Sequence, residues 1–212
     1  NQSGQGLLEL VVAIGVVSVG LFSVWGLFIY NFNGEQEANA RILAINLARE
    51  GVEVVKNMRD SNWLHIEDNQ GCSYGGVLHS TCRFDSGLVD GGGNGDVGII
   101  KELFSEDVYI DYVVTSLDDE ATNLYVDGNG FYTHDNVGNT PTKYRRIIKM
   151  DNVCCDDDNE DLKCNDTSFN VQDSLCGAFE LKVGIDVESS VRWTFQGKDR
   201  ELSINHRIFN WK

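Results

Sequence analysis

An uninterrupted apolar segment near the N-terminus limits what this chain can fold into more than any other feature. Residues 7–30 read LLELVVAIGVVSVGLFSVWGLFIY, in which the carboxylate of Glu9 is the one charged side chain. A helix of this length and composition can cross the hydrocarbon core of a bilayer. A carboxylate inside hydrocarbon is costly, so we expect Glu9 to have a specific partner. The sequence therefore predicts a membrane-spanning helix with one functional acid near its start.

Two simpler interpretations explain the same segment. A secretory signal peptide has a shorter apolar core and ends in a small-residue cleavage site, and no such site follows residue 30. A single-pass anchor needs only length and hydrophobicity, and both are present. The anchor stays open as an alternative, in which the rest of the chain is a surface-binding domain that never polymerises.

The helical pattern continues beyond the apolar segment but changes character. Over residues 35–60, apolar residues recur at helical spacing among charged ones, as in an amphipathic helix with one buried face. The predicted buried stripe consists of Ala40, Leu43, Leu47, Val54 and Met58. A continuous helix over both segments is too long to lie wholly inside a domain of this size. We therefore expect its apolar half to protrude.

The rest of the chain predicts an antiparallel sheet. Apolar and polar residues alternate from Phe179 to Phe195, as in a strand with one buried face. A turn over residues 196–199 and a last strand over 201–211 would complete a hairpin that covers the helical stripe. Residues 61–98 are polar, and the glycine-rich run at their end, residues 86–98, predicts a flexible or turn-rich connector. Further strand candidates are residues 107–115, 124–126, 131–134 and 144–150.

A short motif leads into the apolar segment. Ser3, Gly4, Gln5 and Gly6 precede it, and Glu9 is the fifth residue when Gln5 is counted as the first. This motif resembles that of the type IV pilin family, whose prepilin peptidase cuts after a glycine, methylates the new N-terminus and requires glutamate at the fifth mature position. The resemblance implies cleavage after Gly4 and methylation of Gln5. A cut after Gly6 would place Glu9 third and fits the motif less well.

The resemblance extends over most of the chain. The segments NLAREGVEVVKNMRDSNW, LYVDGNGFYTH, TPTKYRRIIKM and VRWTFQGKDRELSINHRIFNW look like those of pilin-like proteins. They imply the α+β type IV pilin fold, in which a long N-terminal helix packs by its second half on a C-terminal antiparallel sheet with disulfide-stapled loops. The implied divisions are a leader remnant (1–4), a filament-core helix (5–30), an amphipathic helix (31–60) and a β-rich head (61–212) with a variable cysteine-rich insert (151–176).

The resemblance also implies a function. The chain would be a structural subunit of an extracellular filament, held in the membrane as a single-pass protein before assembly and then polymerised with copies of itself. Prepilin peptidase and a membrane assembly machinery would be its other partners, and Glu9 would meet the N-terminal amine of a neighbouring subunit. A minor pilin or a pseudopilin of a secretion or DNA-uptake system is the alternative within the family. The expected core-helix side chains are Leu7, Leu8, Leu10, Val11, Val12, Ile14, Val16, Val17, Leu21 and Phe22.

Six cysteines outside the apolar helix predict disulfide bonds, because an even number in an exported chain is typical of them. Cys72 and Cys82 bracket a short loop and form the favoured pair. Among the other four, the adjacent Cys154 and Cys155 rarely bond to each other, so each is expected to pair with Cys164 or Cys176. A zinc cluster would need Cys-x-x-Cys knuckles, which this chain lacks.

Two acidic patches raise the question of calcium, which prefers several oxygen ligands from a flexible loop. The first patch has Asp127 and Asn129 at alternate positions with Asp135 nearby, but Asp-Gly and Asn-Gly are also ordinary turn pairs. We favour a turn there and a solvated loop for the second patch, with calcium as the alternative in both. The second patch contains Asp156, Asp158 and Glu160.

Charge and motif content narrow the function further. The formal net charge of −16 has no basic stripe to offset it, which disfavours a nucleic-acid-binding surface. The four histidines are scattered, and neither a His-Glu-x-x-His nor a Gly-x-Ser-x-Gly motif occurs. The sequence therefore predicts neither an enzyme nor any cofactor other than the calcium considered above.

Overall fold

The computed structural model describes residues 5–68, 71–74, 77–79, 82–88, 96–102, 108–112, 114, 116–156, 169–172, 176–177 and 180–210. The chain forms two structural units, residues 1–43 and residues 44–212, each described by itself below. Their boundary falls within one helix, α1 (Gln5–Glu67). The long N-terminal helix predicted from the sequence is therefore present, and it ends at Glu67 rather than near residue 60.

The second unit combines the last part of α1 with two antiparallel sheets. A small hairpin pairs β1 with β2, and the larger sheet has the order β10-β9-β7-β3-β4, with β5 and β8 also paired to β7 and β6 to β5. The strands are β1 (Cys72–Tyr74), β2 (Val77–His79), β3 (Asp96–Glu102), β4 (Val108–Asp111), β5 (Asn123–Val126), β6 (Tyr132–Thr133), β7 (Thr140–Asp156), β8 (Phe169–Gln172), β9 (Glu180–Phe195) and β10 (Lys198–Phe209).

Strand β7 organises the larger sheet. One of its edges pairs with β9 from Tyr144 to Asp156, and its other edge pairs in turn with β5, β3 and β8. Its consecutive residues Arg146, Ile147 and Ile148 are all buried. A strand with both faces covered reads as a continuous apolar run, which is why this segment lacks the alternation seen in β9.

The helix packs on one face of this sheet through small and β-branched residues. Val52 and Val55 of α1 join a core cluster with Ile148 and Met150 of β7 and with Val187 of β9. This contact confirms the predicted packing of the helix on an antiparallel sheet. Of the predicted stripe, Leu47 is buried and Val54 and Met58 pack at the edge of the cluster; Ala44, Ala48, Gly51, Val52 and Val55 extend it.

A second, smaller core covers the opposite face of β7. Ile147 packs there with Ile99 of β3 and with Val114 and Leu117, which follow β4 in the chain. Strand β3 precedes the predicted strand at 107–115 in the chain. It was not predicted, because it begins at the end of the polar segment 61–98. Polar residues on β3 and β4, such as Lys101 and Asp111, form an ion pair instead of facing the core.

The polar segment over residues 61–98 contains more regular structure than its composition indicates, and residues 89–95 of the predicted connector lie outside the described residues. It contains the last turns of α1, the β1–β2 hairpin and the start of β3. Phe84 and Leu88 are core residues, and the Asn62 amide donates hydrogen bonds to the carbonyl oxygens of Phe84 and Ser86. A few apolar side chains and one buried amide thus hold this polar segment in place, although its sequence shows no periodic pattern.

The C-terminal hairpin is present, with a tighter turn than predicted. Lys198 already pairs with Phe195, so the turn consists of Gln196 and Gly197 alone. Both residues have positive φ, 50° and 73°, as a two-residue turn compatible with strand twist requires. The last strand ends at Phe209, whose carbonyl oxygen accepts a hydrogen bond from the Arg59 side chain.

The alternation over residues 179–195 does not describe one uninterrupted face. Val153 pairs with Gly184 but Cys154 pairs with Lys182, so β9 has a bulge at Val183. The bulge reverses the parity of the residues before it, and Leu181, predicted to face the core, is 47% exposed. Lys182 is instead paired with Asp85. A bulge of one residue does not alter the hydrophobic pattern of so short a segment, so it could not be predicted from the sequence.

The helix approaches the sheet closely at Gly51. A Cβ atom at this position would lie 2.5 Å from the Ser189 Oγ and 3.3 Å from the Ile148 Cδ1. Alanine favours a helix over glycine by about 1 kcal/mol, but overpacking a core costs about 1–3 kcal/mol. We expect Gly51→Ala to lower the free energy of unfolding by about 1 kcal/mol or more, measured by denaturant titration of the full chain in detergent.

Two further variants separate steric clash from helix propensity. Ser189 is fully buried and its Oγ has no hydrogen-bond partner among the described residues, so Ser189→Ala should cost little and should restore stability to the Gly51→Ala variant. Gly34→Ala is the matched control, because a Cβ there meets nothing within 4 Å. Equal stability changes from Gly51→Ala and Gly34→Ala would contradict the close packing inferred here.

Candidate functional site

The first unit presents an apolar helix with no polar face. Every large apolar side chain from Leu7 to Phe32 is between 44% and 77% exposed, including all ten expected core-helix residues. A helix that is apolar all around its circumference requires nonaqueous surroundings. The helix is long and apolar enough to cross a membrane, judged by its length and composition.

Polar groups in this segment are few, and two of them are satisfied within the helix. The Ser18 hydroxyl donates to the Ile14 carbonyl oxygen at 2.7 Å, and the Ser23 hydroxyl donates to the Val19 carbonyl oxygen at 2.8 Å. Glu9 is exposed and makes neither a hydrogen bond nor an ion pair with any residue that the structure describes. Its carboxylate is thus the polar group in the segment that still requires a partner.

Glycines give the apolar helix surfaces that another molecule can approach closely. A Cβ atom at Gly15, Gly20 or Gly26 would meet nothing within 4 Å, so the chain itself gives no steric reason for these glycines. Small residues let two helix backbones come together in hydrocarbon. Of the two processing residues, Gly4 lies outside the described residues, and the described part of Gln5 is its backbone as the first residue of α1.

Disulfide bonds in the second unit join buried cysteines to half-buried ones. Cys72 is bonded to Cys82, the pair favoured by their spacing, and Cys154 is bonded to Cys176. Cys155 is also disulfide-bonded, and Cys164 lies outside the described residues. These cysteines do not all lie in loops, because Cys72 is the first residue of β1 and Cys154 and Cys155 lie near the end of β7.

The first acidic patch forms a hairpin turn between β5 and β6. The Asp127 Oδ1 accepts hydrogen bonds from the backbone amides of Asn129 at 2.9 Å and Phe131 at 2.8 Å, and these bonds lower the pKa of Asp127. The Asp135 Oδ1 accepts the amide of Val137 at 2.9 Å in the next turn. Each carboxylate therefore serves its own turn, as Asx turns do.

The second acidic patch falls almost entirely outside the described residues. Asp156 is described only through its backbone, as the last residue of β7, and Asp158 and Glu160 are not described.

Calcium binding at the first patch can be tested against the turn interpretation. We expect Asp127→Ala to lower the melting temperature of the full chain by the same amount in calcium and in EDTA, because the lost contacts are backbone hydrogen bonds. Asp127→Asn keeps one accepting oxygen and should lower the melting temperature less. A loss of stability that occurs only in calcium would instead establish a metal site. Differential scanning calorimetry of the three proteins in both buffers measures this.

A buried charge lies where helix and sheet meet. Arg146 of β7 is 1% exposed, and its Nη1 donates to the Leu47 carbonyl oxygen at 3.2 Å and to the Glu50 Oε1 at 3.1 Å. Glu50 itself remains half-exposed at the surface of α1. Burial lowers the pKa of Arg146, and the neighbouring Glu50 carboxylate raises it. Arginine does not lose its proton in proteins, so this interface contains a permanent cation.

His134 completes this cluster. It follows β6 and is 8% exposed, and neither ring nitrogen has a hydrogen-bond partner among the described residues. Burial lowers its pKa to about 3, with smaller contributions from the positive charges of Arg146 and Lys101. His134 is therefore neutral at physiological pH. Sequence reasoning missed both Arg146 and His134, because nothing in the local pattern distinguishes the fully buried Arg146 from the half-buried Arg145 beside it.

No protein-family model, curated protein or solved structure matches this chain. Its function must therefore be inferred from the residues and contacts described above.

Proposed function

We propose that this chain is a structural subunit of a type IV pilus or a related extracellular filament. It would be held in the membrane before assembly and would polymerise with copies of itself through its N-terminal helix. The observation that carries the proposal is an exposed helix that is apolar on all sides and bears one carboxylate, Glu9, that has no partner among the described residues. Its role would be structural rather than catalytic.

Assembly exchanges lipid contact for protein contact. Lipid tails are as apolar as leucine, so hydrophobicity alone does not bring helices together in a membrane. Close packing and polar pairing drive such association instead. Gly15, Gly20 and Gly26 support the first, because their surfaces are open. Glu9 supports the second, as the one acid of the segment.

Glu9 would set the axial position of each subunit. After cleavage at Gly4, the new N-terminal amine would belong to Gln5, and the Glu9 carboxylate of one copy would bind the amine of the next. In a dry bundle of helices an unpaired carboxylate is strongly disfavoured, so the paired arrangement selects one register. Methylation by prepilin peptidase keeps the amine positively charged and compatible with this role.

The second unit would form the outer surface of the filament. Its disulfide bonds, Cys72–Cys82 and Cys154–Cys176, suit a protein exposed outside the cell. Most of the net charge of −16 lies beyond the apolar segment, which favours a surface that stays in water and resists bundling of filaments.

Two alternatives make different use of the same helix. A minor pilin or a pseudopilin would enter an assembly in few copies, and a permanent anchor would remain in the membrane. The anchor accounts for the apolar residues but for neither Glu9 nor the preceding Gly4, since a bilayer-spanning helix needs only length and hydrophobicity. We therefore place the anchor second.

Cryo-electron microscopy of filaments sheared from the source cells tests the proposal. The expected result is a central bundle of α1 helices with Glu9 facing the N-terminus of a neighbour. Filaments that contain this chain in few copies would instead indicate a minor subunit. Retention of the chain in the membrane fraction, with none in filaments or secretion assemblies, would refute the proposal in favour of the anchor.

A further inference from the structure

A groove of about 910 Å³ opens on the second unit beside the β5–β6 hairpin. The loop over residues 127–139 forms most of its wall, and Lys101 of β3 and Glu50 of α1 complete it. Its volume is near the upper end of the range of about 300–1,000 Å³ typical of small-molecule sites. The filament function proposed above uses none of these residues.

The rim of the groove carries an unburied aromatic ring. Phe131 lies at the tip of the β5–β6 hairpin and is 70% exposed, while its neighbour Tyr132 is half-buried. The Phe131 amide is fixed by the Asp127 carboxylate, so the backbone that carries the ring is held in place. An exposed aromatic ring next to polar walls offers a flat apolar platform without making the whole site apolar.

The walls offer both hydrogen-bond donors and acceptors. Asn136 and Asn139 line the groove, and the Asn139 amide nitrogen already donates to the Asp135 carbonyl oxygen. Asp135 uses its Oδ1 for the turn, and its Oδ2 accepts no hydrogen bond from a described residue. One carboxylate oxygen and the amide oxygens therefore remain available to a ligand.

His134 is an independent indication of a ligand. It lines the groove, is more than nine-tenths buried, and has two ring nitrogens without hydrogen-bond partners within the part of the chain that the structure describes. Leaving a buried donor and acceptor unpaired costs about 1–3 kcal/mol each, so buried polar groups are nearly always paired, with protein or with ordered water. A neutral imidazole has one donor and one acceptor, which a hydroxyl group or a water can satisfy together.

Most charged groups around the groove are already paired, so they offer no strong site for a charged ligand. Lys101 is paired with Asp111, and Glu50 is paired with Arg146. The Asp127 carboxylate accepts the backbone amides of its own turn. A wholly apolar ligand would leave the polar walls unpaired.

We propose that this groove is a binding site for neutral saccharides, with hydroxyl groups bound by Asp135, Asn136 and His134 and the apolar face of a sugar ring stacked on Phe131. A saccharide combines an apolar C–H face with hydroxyl groups that both donate and accept, and it carries no net charge. It therefore matches the platform, the walls and the charge pattern together. A filament or an anchored protein could display such a site equally well, so the inference does not rest on the proposed assembly.

An array of neutral, acidic and amino oligosaccharides tests the proposal directly. The full chain would be applied in a zwitterionic detergent that lacks a sugar headgroup. The expected result is retention on one or more neutral oligosaccharides, with a weaker affinity of about tenfold or more for Phe131→Ala. Val137→Ala is the matched control, because Val137 is 79% exposed on the same loop but does not line the groove.

A spectroscopic measurement then locates the bound sugar. Titration with the retained oligosaccharide should shift the imidazole nitrogen resonances of His134 in nuclear magnetic resonance spectra and leave those of His206 unchanged. Retention on charged oligosaccharides alone, no retention at all, or equal affinities for Phe131→Ala and Val137→Ala would each overturn the proposal. Since both variants keep Glu9, filament assembly can be scored separately in the same cells.

Discussion

Replacing Glu9 by Gln should abolish incorporation of this chain into filaments while leaving the second unit folded. Gln keeps nearly the shape of Glu and removes its charge, so packing of the apolar helix is preserved. The N-terminal amine of the neighbouring subunit would then lie unpaired in a dry bundle. Breaking a buried ion pair from one side costs about 3–5 kcal/mol. Because this free-energy cost applies at each subunit interface, it raises the subunit concentration needed for assembly by more than about a hundredfold.

Glu35→Gln is the matched control for this experiment. It removes one carboxylate from the same helix, but at an exposed position outside the apolar segment. Cells that express each variant in place of the original chain would be sheared, and the chain would be quantified in the filament and membrane fractions. We expect Glu35→Gln to assemble normally and Glu9→Gln to accumulate in the membrane fraction. Intact disulfide bonds and protease resistance would verify that the second unit is folded.

If Glu9→Gln forms normal filaments, pairing of the Glu9 carboxylate with a neighbouring N-terminal amine does not set the axial position of the subunits. Failure of both variants would point to a general requirement for helix charge and would equally contradict a specific role for Glu9. Since Gln is less costly than Glu in hydrocarbon, insertion into the membrane should not limit either outcome.

Acid should destabilise this protein through His134. In the folded chain, burial next to Arg146 and Lys101 lowers the pKa of His134 to about 3, whereas an unfolded histidine titrates near 6.5. Below pH 6.5 the unfolded chain therefore binds a proton that the folded chain does not. Neutral His134 makes its full contribution to the free energy of unfolding above pH 6.5. This contribution is lost as the pH falls toward 3. Its upper limit is about 5 kcal/mol, taking about 1.4 kcal/mol for each pKa unit.

His134→Phe isolates this contribution. Phenylalanine fills a similar volume, and the ring nitrogens that it removes have no hydrogen-bond partners among the described residues. We expect stability similar to that of the original chain at pH 7.5 and higher stability at pH 4.5, measured by denaturant titration. Glu50 and Asp135 line the same groove and are present in both proteins, so their effects largely cancel in the difference.

His206→Phe serves as the control for removal of any histidine. His206 is exposed on β10, and this variant should lose stability in acid as the original chain does. An identical pH dependence in His134→Phe and the original chain would show that His134 is not buried as the structure has it.

The sequence predicts the parts of this fold that are encoded by periodic patterns. The apolar run of residues 7–30 and the helical spacing after it correspond to α1, and the alternation of β9 and the hairpin after it are present. Long amphipathic elements are reliable because many residues repeat the same signal. The predicted strands at 124–126 and 144–150 also fall within β5 and β7.

The sequence fails where one residue or one distant contact decides the outcome. The bulge at Val183 reverses the exposure of Leu181 and leaves the composition of the segment unchanged. Strand β3 follows a glycine-rich stretch and is held by pairing with β7, which is about fifty residues away in the chain. The burial of Arg146 and His134 depends on the position of α1 over β7, which is a tertiary property. Long-range contacts of this kind override local propensity.

The order of α1, β7, β9 and β10 along the chain affects when the second unit can fold. The three strands supply residues to the core cluster around Val52 and Val55, yet the ribosome makes α1 before any of them. These residues are Ile148, Met150, Ile185, Val187 and Ile208. Until β10 has been synthesised, the second half of the helix lacks its apolar cover and is open to association with other chains. A chain truncated before Lys198 would remain in that state, because β9 would lose its partner along one entire edge. Synthesis of β10 thus completes the apolar cover of the helix in each newly made copy.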